Sequence, residues 1–195
     1  VTDRTPAHRS IWRRKVKAVT FIKASAETVW GLLTDLAEYP TWNRFMPFMS
    51  GDLRPGGVVR AEVRFRRGFF GLPFRFQAQV LRCDECREIR WTGKLLFRWL
   101  FSGVHSFILE PGLDPGVALG QAPDHDQAAA DLGGVVQGPE PSRGVVLVHQ
   151  EELSGLLVPV IGWYMAPRME DGFREMNEAI KVRVESQVSA DPPVC

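Results

Sequence analysis

The sequence predicts an α+β fold, a curved antiparallel β-sheet wrapped around a long C-terminal α-helix. Two observations carry this. Between residues 59 and 152, short segments alternate apolar and polar residues one by one. That is the pattern of strands with one buried face and one wet face. From 165 to 184 the apolar residues instead recur every three or four positions, which is one stripe of a long helix. A one-faced sheet and a one-striped helix bury each other in a two-layer arrangement.

The elements follow in order. Val16, Ala18, Thr20 and Ile22 alternate with Lys15, Lys17 and Lys23, as in a half-buried strand. Ser25 reads as a helix N-cap and Glu27 places a carboxylate in the first turn, where it complements the helix dipole. Val29, Leu32, Leu33 and Leu36 form that helix's apolar stripe, and Pro40 is expected to end it. "EYPTWNRF" follows as a tight connection with room for a further helical turn. Six antiparallel strands are then expected. Val59, Ala61, Val63 and Phe65 alternate with charged residues, as do Phe74, Phe76, Ala78 and Val80 with polar ones. Ile89, Trp91, Gly93 and Leu95 share a face; so do Phe101, His105, Phe107 and Leu109. Residues 145–152 make the last strand. The closing helix carries Met165, Met169, Phe173, Met176, Ile180 and Val184 on one side, with Glu170–Arg174 and Lys181–Glu185 as i,i+4 pairs on the other. Pro159 suits a first turn, and Pro167 is expected to kink or restart the helix.

Segment 111–143 is rich in Pro, Gly, Ala and Asp and has no period. It reads as a flexible insertion between the last two strands, with a lid as the less favoured alternative. The chain of 195 residues suits one domain, with its core at about 15–110 and 144–186. A net charge of +1 gives no field that would select nucleic acid. No apolar run approaches the ~20 residues of a membrane span, and no secretory signal is visible. The three cysteines do not make a disulfide framework, so a reduced cytoplasmic protein is the default expectation. "CDEC" has the spacing of half a zinc site, but a structural zinc needs four ligands, and two turn cysteines are the favoured reading.

Chemistry concentrates in "VVLVHQEELSG". Leu147, His149 and Glu151 share one face of that strand. If the face points inward, His149 lies near His105, and the three polar side chains can satisfy one another across neighbouring strands. Such a cluster is a structural network, a polar anchor for an apolar ligand, or an acid/base site. No nucleophile elbow, phosphate loop or metal-ligand set is present, so neither cofactor nor metal is expected. A sheet bent around a helix can leave a cavity between them, a common place for a ligand.

"IKASAETVWGLLTDLAEYPTWNRF", "REIRWTGKL", "FSGVHSFIL", "VVLVHQEELSGLL" and "FREMNEAIKVRVE" follow one another in the order of a known superfamily. The chain resembles the START-like, or Bet v 1-like, helix-grip proteins, within them the bacterial polyketide cyclase/dehydrase and lipid-transport-like group. The resemblance implies the helix-grip fold and a hydrophobic small molecule or lipid as partner, bound and in some members transported. It transfers no catalytic signature. A cyclase- or dehydratase-like enzyme on the same cavity, with His105, His149 and Glu151 as candidates, is the alternative; a protein-interaction module with a filled cavity is a third. The ligand-contacting residues are expected among Trp42, Phe65, Phe76, Trp91, His105, Phe107, His149, Met165, Met169, Phe173 and Met176. Trp30, Trp99, Phe74 and Phe101 also fall on or near predicted inner faces. "RRGFFGLPFRF" and "LLFRWLF" hold more apolar residues than one face can bury. Loops folded over the cavity mouth are the favoured reading; with Arg66, Arg67 and Arg98 nearby, transient contact with anionic lipid is the alternative.

Overall fold

The structure, a computed structural model, describes residues 11–65, 73–94, 97–114 and 143–190. Strand β1 (Arg13–Ile22) leads into helix α1 (Ala26–Thr34) and the short helix α2 (Tyr39–Trp42). Six strands follow: β2 (Phe48–Gly51), β3 (Val58–Val63), β4 (Phe74–Asp84), β5 (Glu88–Lys94), β6 (Ser102–Leu113) and β7 (Arg143–Ser154). A π-helical turn (Val158–Gly162) then opens into the long helix α3 (Trp163–Ala190). All neighbours are antiparallel, in the order β1-β7-β6-β5-β4-β3-β2. This is the α+β helix-grip arrangement. The first strand pairs with the last, so β7 and β6 stand second and third from the β1 edge.

Local chemistry explains the elements. The Ser25 side chain accepts the Thr28 backbone N–H, capping α1. That helix ends at Thr34, where the Asp35 N–H returns to the Gly31 carbonyl. Pro40 therefore does not end α1; it sits in the first turn of α2, where a missing N–H costs nothing. The Tyr39 hydroxyl donates to the Leu33 carbonyl at 2.9 Å, and the Asn43 side chain accepts the Met46 N–H at 2.8 Å, pinning the connection under the sheet. β2 has only four residues and so no readable alternation. Gly51, at φ +127°, turns the β2–β3 hairpin; a Cβ there would lie 2.1 Å from the Val58 carbonyl oxygen.

The inner faces follow the expected phase. Val16, Ala18, Ile22, Val59, Ala61, Val63, Ala78, Val80, Ile89, Trp91, Phe107, Leu109 and Leu147 are buried. They meet Met169, Phe173, Met176, Ile180 and Val184 of α3 in one core. Burying each of the larger of these side chains is worth about 1.5–3 kcal/mol, so this interface dominates the stabilising side. Glu170 pairs with Arg174 on the wet side, and Glu185 accepts the Lys23 backbone N–H, tying α3 to the end of β1. Helix α3 runs through Pro167 without restarting; the irregular geometry lies upstream, in the π-helical turn that holds Pro159.

β6 continues to Leu113 and β7 begins at Arg143, so the strands reach further into the 111–143 segment than alternation suggests. Positions 115–142, and with them the expectation of a flexible insertion, lie outside the described residues. Cys83 lies one residue before the end of β4 and Cys86 sits in the β4–β5 turn at φ 56°; both are free. Burial first, then neighbouring carboxylates, push both thiols above their ordinary value. Among the described residues no group of His, Cys, Asp and Glu is placed to hold a metal, and no helix is long and apolar enough to cross a membrane.

Candidate functional site

The inner face of the sheet holds a line of polar side chains inside an apolar core. Antiparallel pairing of β6 with β7 sets His105 opposite Glu151 and Phe107 opposite His149. Pairing of β5 with β6 sets Trp91 opposite His105. Helix α3 supplies Phe173 and, one turn later, Asn177. The Glu151 Oε2 lies 2.7 Å from His105 Nδ1, His105 Nε2 3.1 Å from His149 Nε2, and His149 Nδ1 3.0 Å from Asn177 Oδ1. Asn177 Nδ2 donates to Thr20 Oγ1 of β1 at 3.2 Å. The chain of contacts thus crosses from β7 to β6, back to β7, over to α3 and down to β1.

The partners determine where the protons sit. Asn177 donates through Nδ2 to Thr20 and presents Oδ1, which can only accept, to His149, so the His149 Nδ1 carries the hydrogen. Full burial, then the neighbouring His105, push His149 well below its ordinary value of 6.5, while its bonds to Asn177 and Phe173 oppose the shift. His149 is therefore neutral with a bare Nε2. His105 must donate to it through Nε2–H. The 2.7 Å contact between His105 Nδ1 and Glu151 Oε2 is a hydrogen bond and so holds a hydrogen between the two atoms. The His105 ring stacks on Trp91 at 4.6 Å and 10°. His149 stacks on Phe173 at 3.8 Å.

A cavity of about 220 Å³ lies between the sheet and α3, beside this line. Glu151 and His105 face it amid Phe45, Phe65, Phe76, Trp91, Phe101, Leu153, Met165, Met169 and Phe173, and Arg75, Gln77 and Lys94 also line it. Of the residues expected to line a cavity, Phe65, Phe76, Trp91, His105, Met165, Met169 and Phe173 do so. His149, Phe107 and Met176 are fully buried behind the wall, because their positions lie deeper under α3. Trp42 borders a separate, open and charged groove along the outer side of α3. Phe101 lines the cavity and Trp30 packs on the core, but Trp99 is 62% exposed and Phe74 37% exposed at the cavity's rim.

Three contributors escape sequence reasoning. Gly103 lies under the Glu151 carboxylate; a Cβ there would sit 2.0 Å from Oε1, so glycine lets the carboxylate rest where it does. Gly103 is in phase with Phe101 and His105, and a glycine on an apolar inner face is the signal that could have found it. Asn177 lies on the same helix face as Phe173 and was hidden by the stronger apolar stripe. Phe45, between α2 and β2, closes one side of the cavity by edge contacts with Phe65 and Phe173. It seats over Gly172, whose missing Cβ would lie 2.1 Å from the ring.

Fold and site define an α+β helix-grip domain with an internal, mainly apolar cavity. A family described as "Polyketide cyclase / dehydrase and lipid transport" matches residues 13–185, and the chain belongs to it. No curated protein matches the chain. Among solved structures, the Zhui aromatase/cyclase from a Streptomyces species is similar at a TM-score of 0.61 and 15% identity, over 93% of this chain and 99% of that one. A START superfamily protein from Mycobacterium smegmatis matches at 0.55 and 19%, over 89% and 98%. The di-domain aromatase/cyclase StfQ of the steffimycin pathway matches at 0.62 and 10%, over 93% of this chain. This chain spans about half of StfQ, 53%. At these identities the likeness concerns the fold.

Proposed function

We propose that the protein binds a small apolar molecule, or the apolar end of a lipid, in the cavity between sheet and α3, and that Glu151 holds its polar end. The state of the two Glu151 oxygens carries this reading. Oε2 is engaged by His105, while Oε1 rests over Gly103 with no hydrogen-bond partner among the described residues. Both ring nitrogens of His105 are taken, by Glu151 and His149. A ligand in the cavity therefore meets an acceptor and no spare donor at this point. Beside Glu151 a hydroxyl, phenol, enol or amine fits and a carboxylate meets like charge; the donors of Arg75, Gln77 and Lys94 lie elsewhere on the lining. A carboxylate oxygen without a donor in apolar surroundings is costly, and a ligand donor relieves that cost. The 220 Å³ volume is below the ~300–1,000 Å³ of drug-sized sites, so the ligand is small or enters by one end.

The same pair supports a second reading, proton transfer of the cyclase or dehydratase type. Glu151 would take a proton from a bound C–H or O–H group, and His105 and His149 behind it would hold the charge in place. The family description and the aromatase/cyclase neighbours favour this class of chemistry. A filled-cavity interaction module is the least supported, given a void with a carboxylate on its wall.

Calorimetry with 1-naphthol and 1-naphthoate tests the first reading. Naphthol should bind, naphthoate should bind at least ~10-fold more weakly, and Glu151→Gln should weaken naphthol ~10-fold or more, the worth of a hydrogen bond to a charged group. Equal binding of both probes, or an unaffected variant, would sink it. A catalytic role would show instead as retained binding with a ~10²–10⁴-fold loss of turnover.

A further inference from the structure

Trp12, Phe97, Trp99, Leu156, Val160 and Trp163 are all 46–72% exposed. They come from three segments that meet at one end of the sheet. The Gly155 N–H donates to the Trp12 carbonyl, Leu156 to that of Trp99, and Leu157 to that of Leu100. Gly155, at φ +127°, lets the segments close, since a Cβ there would lie 2.5 Å from the Leu100 carbonyl oxygen. Phe97 and Trp99 stack at 5.8 Å. This is a built apolar surface, held by backbone bonds. It is also continuous with the cavity's rim: Phe101, Leu153 and Met165, which line the cavity, each lie two or three residues from Trp99, Leu156 and Trp163.

Charge gives the surface its partner. Segments 11–17, 97–101 and 155–164 contain Arg13, Arg14, Lys15, Lys17 and Arg98 and no Asp or Glu, although the whole chain carries only +1. Lys15 pairs with Glu152; among the described residues Arg13, Arg14 and Arg98 have no acidic partner within ion-pair distance. Indole rings prefer the boundary between water and hydrocarbon, and guanidinium groups bind lipid phosphates.

We propose that this end of the sheet docks on an anionic lipid bilayer, with Trp12, Trp99 and Trp163 at the headgroup level and Arg13, Arg14 and Arg98 on the phosphates. Docking sets the rim of the cavity against the membrane. Each cation near an anionic surface adds about a factor of five in partitioning, so composition dependence is the main signature.

Co-sedimentation with vesicles tests the proposal. Full-length protein should bind vesicles of phosphatidylcholine with about 30% phosphatidylglycerol at least ~10-fold more strongly than phosphatidylcholine alone. Binding should weaken as salt is raised. The double change Trp99→Ser and Trp163→Ser should lose at least ~10-fold in binding with an unchanged melting temperature, as both rings are exposed. Arg13→Glu with Arg14→Glu should abolish the preference for anionic lipid. The Glu151→Gln variant should dock like wild type, which separates this surface from the cavity reading. Absence of binding to either vesicle, equal binding by the Trp variant, or a dimer formed through these residues without lipid would overturn it.

Discussion

Replacing Gly103 by Ala perturbs the site at one point. The new Cβ would lie 2.0 Å from the Glu151 Oε1, whereas ordinary contact begins at 3.4 Å, so the carboxylate must retreat by the difference, about 1.4 Å. It is anchored on its other side by the 2.7 Å contact with His105, and a shift of that size breaks it. Losing a hydrogen bond to a charged group costs about 1.5–3 kcal/mol. At about 2–4 °C per kcal/mol for a chain of this size, the melting temperature should fall by roughly 3–12 °C. Gly93 is the matched control. It pairs with Gly103 and also lines the cavity, but a Cβ there meets only Phe76 at 3.9 Å and the Gln77 carbonyl oxygen at 3.8 Å. Gly93→Ala should be neutral or add about 0.4–1 kcal/mol through the unfolded chain. Urea unfolding followed by circular dichroism gives both values. With Glu151→Ala already in place, Gly103→Ala should cost almost nothing, and the cycle should return a coupling of about 1.5–3 kcal/mol. If Gly103→Ala is as stable as Gly93→Ala, the Glu151 carboxylate is not fixed over Gly103 by its contact with His105.

Two further outcomes follow from the geometry. His149 is held neutral in the folded chain while the unfolded chain protonates it near its ordinary 6.5. The unfolded state thus binds more protons below that pH. Stability should be full above about pH 6.5 and fall below it, by up to ~1.4 kcal/mol per pH unit; His149→Gln should flatten that part of a urea–pH series. Gly172→Ala drives a Cβ into the Phe45 ring, and overpacking of about 1–3 kcal/mol outweighs the ~1 kcal/mol that Ala contributes over Gly in a helix. A net loss on the order of 1 kcal/mol should appear in denaturation and vanish in a Phe45→Ala background.

Alternation made much of this legible. Leu147 is apolar and in phase with His149 and Glu151, so an inward strand face carried both polar groups with it. The helical stripe from Met169 to Val184 likewise marked the side of α3 that meets the sheet. What alternation cannot supply is depth. His149 and Glu151 share a face, yet one lies under Phe173 and the other at the void, a distinction set by where α3 crosses. Trp99 looked like an inner-face residue because it borders a strand; backbone bonds from Leu156 hold its segment in a turn and leave the ring outside. Gly103 and Gly172 act through the atoms they lack, which no hydrophobic pattern records. Asn177 was masked by Met176 and Ile180, although a polar residue one turn from Phe173 has to find a partner once buried.

The central claim is that the free oxygen of Glu151 receives the donor end of an apolar ligand. A crystal structure with 1-naphthol bound tests it most directly. The rings should lie between Trp91 and Phe173, with the hydroxyl oxygen about 2.5–3.0 Å from Glu151 Oε1 and the His105 contact intact. A hydroxyl turned towards the rim, or naphthol seated in the groove outside α3 with the cavity empty, would contradict it.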